Sequence, residues 1–599
     1  MTLIVDDAQL LRMAAEPPRD AAPGLSRALS YEPIVWLLAV VPPLVLLVRS
    51  GLDGDSAAWA IRSLSVVQAD RLHEWLIPGT AFGDQWLAWL PPLQSWLTAL
   101  FVGWGPPGAI APTLAVSAAS SMATVLLLHA WVREAVGPRA AFLAAVMLGL
   151  HPQFLLMASS GRPEALTTAL LTTLGWGLWS HWHGTRGLAS VRLLCAGVAW
   201  GLAVLAGGPV AVAAWLALVL FWFWEGGRSL TGVAQGEPSS ALQLGRGLVM
   251  LLITGGALSL WWIAMLLAEG GLAFLEVWLH LDGPPAAVVP AADGAKWLGV
   301  QAWLCRSAFL AGWWAIGFRQ AVRWRQPEEG SPARRLGRWM ACWFVVGALL
   351  RLMPVLLPGL EMTATRPWEA WLVIPTVVLA AQGLDTVLHR DVANRAFITA
   401  LTITVGMVVW ALTGRLMIGL IVAGTFALLI FASAPLAVGL RRTSLAWTET
   451  GIRHWMQVAA LITLCGPLGL DWLLLSPRDA DRLRYLELRT RLAQIPDVHL
   501  MSVIGDGDSP PPPLVFLLRS LWPNARLSVT NGWDPLLTEA IVAEANQPQS
   551  RLLIVEWSRK ELRVRADVGN VWQVSQVVDP VAYGQRRLAV QMIAPAAPR

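Results

Sequence analysis

Long apolar runs broken by short polar segments set the rhythm of the first three quarters of this chain. Runs near the roughly 20 residues that cross hydrocarbon as a helix recur at about 33–49, 109–131, 140–157, 164–182, 192–206, 209–224, 247–268, 297–318, 339–357, 371–388, 396–413, 416–438 and 454–475. They predict about thirteen transmembrane helices. After about 476 the pattern changes. RDADRLRYLELRTRLAQI has helical periodicity and charge; VHLMSVIG, ARLSVT and RLLIVEW read as short buried strands; PLVFLLRSL and DPLLTEAIVAEAN read as helices between them. Alternating strands and helices predict a small α/β domain with a partly parallel sheet. The chain thus divides into a mainly α polytopic membrane domain over 1–475 and a small C-terminal α/β domain over 476–599.

Composition agrees with this division. Only 14% of residues are charged and 56% are hydrophobic, with a mean hydropathy of +0.55, against about 25% charge in ordinary globular chains. A net charge of +5 raises the question of nucleic acid, but no nucleic-acid motif occurs and the arginines follow membrane topology. With a cytoplasmic N-terminus, Arg133 and Arg139, Arg186 and Arg192, Arg228 and Arg246, the cluster from Arg319 to Arg338, Arg390 and Arg395, and Arg441, Arg442 and Arg453 all fall in inside loops, as the positive-inside rule requires. That orientation places Asp55, Glu164, His280, Arg366 and the whole tail on the outer face. It describes a multi-pass protein of a cell membrane, such as a bacterial inner membrane, with its C-terminal domain extracytoplasmic. Arg12, Arg19 and Arg27 precede the first run, a cytoplasmic lead into a signal anchor rather than a cleaved signal peptide. The four cysteines lie in predicted spans without metal or disulfide spacing. The spans carry almost no charge near their middles, which argues against a transporter.

The first outer loop, about 50–108, is long and contains GDSAAWAIRSLSVVQADRLHEWLIP. Ala58, Ile61, Leu64 and Ser65 follow helical spacing, and Trp59, Trp75, Trp86, Trp89 and Trp96 suit a headgroup interface; an amphipathic helix lying on the membrane is expected. Asp55 stands at its start, where a carboxylate either caps the helix or faces a cavity as a reactive group. Glu164 follows Pro163 at the start of a span and has the same two readings: an anion at a helix N-terminus or a second acid of a site. His280 in EVWLHLDG is either an interfacial side chain or a ligand-binding one, and Arg366 either anchors a helix end or binds an anion.

The loop continues WLPPLQSWLTAL. An acidic residue four positions before an aromatic, an interfacial helix and then PPLxxWLxAL resemble the first outer loop of the GT-C membrane glycosyltransferases, specifically the protein O-mannosyltransferase superfamily and the bacterial lipid A aminoarabinose transferases. HPQFLLMASSGRPEALTTALL, GLAVLAGGPVAVAAWL, ALSLWWIAMLLAEGGLAFLEVWLHLDG and RPWEAWLVIP follow in the order of the family's later segments, so the resemblance covers about residues 30–390. It implies that Asp55 is the catalytic aspartate, with Trp59 in the place of a tyrosine, and that Glu164 is the second acid. Several of the family's polar positions are changed: its basic residue before PPL is Leu90, its KGP lysine is Gly207, its arginine before the aromatic is Ala58, and its late-loop tyrosine is approximately Trp371.

The activity so implied is transfer of a sugar from a polyprenyl-phosphate donor to a protein, lipid or glycan acceptor on the outer face. A carboxylate acts as general base, and cations hold the departing phosphate. Arg62, four residues after Ala58 and on the same helical face, is expected to reach the phosphate, as are Arg162, Lys296 and Arg366, with His280 and Trp59 completing the donor site. No protein metal site is expected, although Asp53, Asp55 and Glu164 could approach a divalent cation through oxygen ligands. The changed basic positions leave two rivals: an inactive lipid-sugar-binding scaffold and a polytopic transporter.

Overall fold

The computed structural model describes residues 32–52, 54–78, 90–183, 186–231, 240–270, 306–322, 331–356, 366–389, 393–413, 417, 421, 424, 425, 482–495, 498–505, 512–531, 552–558, 572–583 and 586–595. Asp53, Trp86, Trp89, His280, Lys296, the runs at 416–438 and 454–475, and the helix expected at DPLLTEAIVAEAN lie outside or largely outside these residues.

The membrane part is helical: α1 (Glu32–Arg49), α2 (Gly54–Val67), α3 (Leu72–Leu76), α4 (Leu93–Trp104), α5 (Ile110–Ala135), α6 (Pro138–Gly149), α7 (Pro152–Ala158), α8 (Glu164–His183), α9 (Arg186–Gly207), α10 (Pro209–Thr231), α11 (Ser240–Gly270), a 3-10 turn (Ala308–Leu310), α12 (Ala311–Val322), α13 (Pro332–Leu356), α14 (Arg366–His389) and α15 (Ala393–Thr413). Proline opens α6, α7 and α10, where its missing N–H has no helical partner to lose. The α9–α10 joint adds Gly208 at φ 54°, a left-handed conformation that glycine adopts without a Cβ clash.

Helix covers the described part of each apolar run from 33 to 413, but the count of spans changes. Among the described residues, α1, α5 and Leu242–Ala268 of α11 are long and apolar enough to cross a membrane, and α6 with α7, bent by 63° at their junction, makes a fourth. Val191–Gly207, Pro209–Glu225, Trp371–Thr386 and Thr399–Trp410 are apolar but shorter among the described residues, and other helices carry polar side chains that face protein. In α8, for example, Thr167, Thr168, Thr172 and Ser180 are all buried. Lipid-facing positions show the opposite character: Trp36, Leu37 and Val48 of α1 are exposed.

Two kinds of contact hold the bundle. Where α5, α8, α10 and α13 meet, Trp131, Trp179, Phe221 and Trp339 form an aromatic nest, with Trp131 and Trp339 edge to face at 5.2 Å. Beside it buried Arg338 bonds Glu225 at 3.0 Å. Elsewhere glycine lets backbones touch. A Cβ on Gly317 would meet the carbonyl of Leu379, and one on Gly383 the carbonyl of Trp313, so α12 and α14 pack backbone to backbone. Gly317→Leu is expected to push these helices apart and destabilise the fold by about 3 kcal/mol, read as a lower melting temperature of the purified protein.

The expected strands are present, with two more. β1 (Leu500–Gly505), β2 (Arg526–Asn531), β3 (Leu552–Ser558), β4 (Trp572–Tyr583) and β5 (Arg586–Pro595) form one sheet in the order β2-β1-β3-β5-β4. β1 pairs parallel with β2 and β3, whereas β3–β5 and β4–β5 are antiparallel. α16 (residues 482–492) precedes β1, and α17 (Pro512–Leu521) connects β1 to β2, a crossover of the kind that parallel strands require.

The largest correction concerns α2. Instead of lying on the membrane surface it is enclosed: Ser56, Ala57, Ala60 to Val66 are all buried. It packs on α4 and on α17. Ala60, Ile61 and Leu64 share a core with Tyr485, Leu488, Leu492, Leu514, Leu517 and Leu518 of the tail. The alternation that suggested an interfacial helix instead records two protein neighbours. Tyr485 donates to the carbonyl of Gly108 at 3.1 Å and Arg489 to that of Pro107 at 2.8 Å, fixing the tail to the turn before α5. Two of the tryptophans expected at the interface pack on one another and on a third. Trp75 stacks on Trp96 at 5.1 Å, Trp96 on Trp261 at 6.3 Å, and Trp104 is largely exposed.

Candidate active site

One helix, α4, holds both acidic elements. It packs along α2, which carries Asp55 in its first turn. From its other side Gln94 donates to the carbonyl of Gly161 at 3.2 Å, in the turn that precedes α8 and Glu164. Ser117 of α5 donates to the carbonyls of Ser160 and Arg162 at 3.4 and 3.1 Å, so two helices stitch down the turn 159–163. Glu164 then opens α8, where the positive end of the helix favours an anion, and Thr168 one turn later donates to its carbonyl at 2.7 Å. Arg162 Nη1 lies 3.9 Å from Glu164 Oε1, both side chains about one-tenth exposed. The sequence expectations for Arg162 and Glu164 therefore fall on neighbouring groups in one pinned turn.

Arg62 has a different role from the one expected. It is wholly buried; Nε donates to the carbonyl of Pro78 at 3.2 Å, Nη1 to that of Pro91 at 2.6 Å and Nη2 to that of Leu90. Its guanidinium also lies over the ring of Trp59 at 5.3 Å, a cation–π contact. Burial lowers the Arg62 pKa to about 9, which still leaves it protonated near neutrality, and the carbonyls favour the charged form. Facing inward on carbonyls, it acts as a strut tying the two ends of the 78–91 segment to α2 rather than as a ligand for phosphate. Leu90, where the resemblance has a basic residue, is buried and supplies one of these carbonyls.

Gly207 is explained by packing. A Cβ there would come within 2.5 Å of Thr167 Cγ2, so the side chain one turn beyond Glu164 fills the room that a lysine would need. Gly207→Ala is expected to destabilise the protein by about 1–3 kcal/mol, and Thr167→Ala in the same molecule to recover most of that loss, as thermal melting of the double-mutant cycle would show. Arg366 opens α14. Among the described residues no group of three His, Cys, Asp or Glu side chains gathers as a metal set.

Arg306, ten residues into the run 297–318, is one of the few charges within the apolar runs. Its Nη1 donates to Gln153 Oε1 of α7 at 2.6 Å.

These elements, a bundle with an acid-bearing first loop helix, a second acid opening a later helix, and an α/β tail docked over the first, make up a fold that is found among solved structures. The structure of ArnT from Cupriavidus metallidurans bound to undecaprenyl phosphate superposes with a TM-score of 0.53 at 17% identity, covering 94% of this chain and 98% of that one; its apo form gives the same score and identity. The archaeal oligosaccharyltransferase AglB from Archaeoglobus fulgidus, in complex with an inhibitory peptide and a dolichol-phosphate, gives a TM-score of 0.43 at 11% identity over 88% of this chain and 69% of that one. No protein-family model and no curated protein matches the sequence.

Proposed function

We propose that this protein is an integral membrane glycosyltransferase that moves a sugar from a polyprenyl-phosphate-linked donor to an acceptor hydroxyl of a protein, lipid or glycan on the outer face of the membrane. The observation that carries the reading is the linkage of the two acid-bearing elements, α2 with Asp55 and the 159–164 turn with Arg162 and Glu164, through the single helix α4, within a fold that matches ArnT along nearly its whole length. That neighbour's bound undecaprenyl phosphate supports the donor class.

In this reading Asp55 takes the proton of the acceptor hydroxyl as its oxygen attacks the anomeric carbon. The bond from that carbon to the phosphate oxygen breaks with inversion, and the lipid phosphate leaves. Glu164 orients the acceptor or serves as the second base, and Arg162, Lys296 and Arg366 offset the phosphate charge. His280 and Trp59 border the donor. The arginine distribution supports an inner-membrane protein with a cytoplasmic N-terminus and an outer tail. Mass spectrometry of the membrane glycolipids before and after removal of the protein, followed by transfer from the accumulating lipid to acceptor by purified protein, tests this. An unchanged glycolipid profile would end the proposal.

A further inference from the structure

The polar side of α4 is turned into the protein. Its buried residues are Gln94, Ser95, Thr98 and Ala99, whereas Leu100, Phe101 and Trp104 are exposed. A helix with this arrangement keeps its polar groups for contacts with other helices. Gln94, which is wholly buried, reaches furthest. Its Nε2 donates to Thr98 Oγ1 one turn along the same helix at 3.3 Å and to the carbonyl of Gly161 at 3.2 Å. The second bond fixes which way the amide points, because a reversed amide would set its oxygen against the oxygen of Gly161.

That orientation leaves Oε1 buried and without a hydrogen bond among the described residues. An unmet buried acceptor is unfavourable, so a side chain needed only to fill this space would be leucine or methionine. The amide is explained by what its nitrogen holds. On either side of Gly161, Ser117 of α5 bonds the carbonyls of Ser160 and Arg162. Gly161 itself lies so near the Thr113 carbonyl that a Cβ would stand 2.8 Å from it. Three consecutive carbonyls are thus held, the outer two by α5 and the middle one by α4, and Glu164 follows two residues after the last. Ser117 fixes the turn on α5; Gln94 fixes it on the helix that packs along α2, where Asp55 stands.

We propose that Gln94 is a positioning residue for sugar transfer: through the Gly161 carbonyl it sets where Glu164 stands relative to α2 and Asp55. The proposal rests on the function proposed above and adds to it a residue that touches neither donor nor acceptor. Transfer needs the acceptor hydroxyl, its base and the anomeric carbon aligned, and a displacement of about 1 Å can cost about 10²-fold in rate. Releasing the middle carbonyl frees the turn from α4 while both acids remain.

The test uses Gln94→Met, which keeps the length and apolar stem of the side chain and removes the amide. Membranes of cells lacking the protein supply both the accumulated donor and the acceptor. Purified full-length protein is added to them in detergent at saturating membrane, and release of polyprenyl phosphate is followed by mass spectrometry. Gln94→Met is expected to lower the rate about tenfold, with a melting temperature close to wild type because the unmet Oε1 leaves with the amide. In a Glu164→Gln background the same substitution is expected to change the rate less than about twofold. Hydrogen exchange of the amides of Arg162 and Thr167, which bond the carbonyls of Ser160 and Pro163, should quicken in Gln94→Met. If Gln94→Met lowers folded yield, Gln94→Asn provides the second reading: it keeps an amide, falls one methylene short of Gly161, and should show the same loss with the same dependence on Glu164. A residue that only supports the scaffold would lose as much in both backgrounds, so losses that multiply would overturn the assignment, as would a wild-type rate in Gln94→Met. Absence of transfer by wild type would overturn the function proposed above. Unchanged exchange across 159–167 in Gln94→Met would overturn the hold on the turn whether or not the protein transfers sugar.

Discussion

Asp55→Asn is expected to lower sugar transfer by about 10²-fold or more, the usual scale for removing a positioned acid or base, with expression and melting temperature close to wild type. The contrast comes from where the helix begins. α2 starts at Gly54, so Asp55 stands inside the first turn rather than at the cap. There a carboxylate gains only about 0.3–1 kcal/mol from the helix dipole. Exchange for the isosteric amide therefore removes little stability, whereas an amide cannot take a proton from an acceptor hydroxyl. Turnover and thermal melting measured on the same preparation separate the two: near-wild-type turnover would leave Asp55 with a structural role only. Asp53→Asn is the control and should matter less.

Leu517→Arg is expected to damage the first loop from a distance of more than 400 residues along the chain. Leu517 is fully buried in the core that α17 and α16 share with α2. Its Cδ1 lies 2.8 Å from where a Cβ of Gly108 would stand, and Gly108 holds a φ of 67° that a side chain would strain. An unpaired guanidinium at that place is expected to cost about 4 kcal/mol or more, undocking the tail. Limited proteolysis should then cut within 54–91 as well as in the tail, and transfer should fall although every acid of the site remains. Cleavage confined to residues beyond 476 would show instead that the tail is an independent module.

Much of this organisation was legible in the chain. Apolar runs marked where helices lie, because a bundle in lipid needs apolar length before anything else. The three strands of VHLMSVIG, ARLSVT and RLLIVEW appear as β1, β2 and β3, since buried parallel strands read as continuous apolar runs. β4 and β5 were not foreseen: WQVSQVVDPVAY and RRLAVQMIAP mix polar residues into an antiparallel ribbon and look like linker. The fate of α2 was hidden for a related reason. A helix with Ala60, Ile61 and Leu64 on one side has the same pattern whether its partner is a bilayer or α17, and only the tertiary contact decides. Arg62 shows the limit for single residues. Spacing placed it on the same helical face as Ala58, but spacing does not say whether a guanidinium meets phosphate or three carbonyls of its own loop.

The bonds from Tyr485 to Gly108 and from Arg489 to Pro107 span 377 and 382 residues. At a synthesis rate of about 5–20 residues per second, α2 emerges roughly 20–80 s before the helices that will enclose it. During that interval the acid-bearing loop stands open, its apolar side chains uncovered and available to chaperones. A late-made segment closes an early-made one, so a chain that stops before α16 leaves α2 without part of its cover.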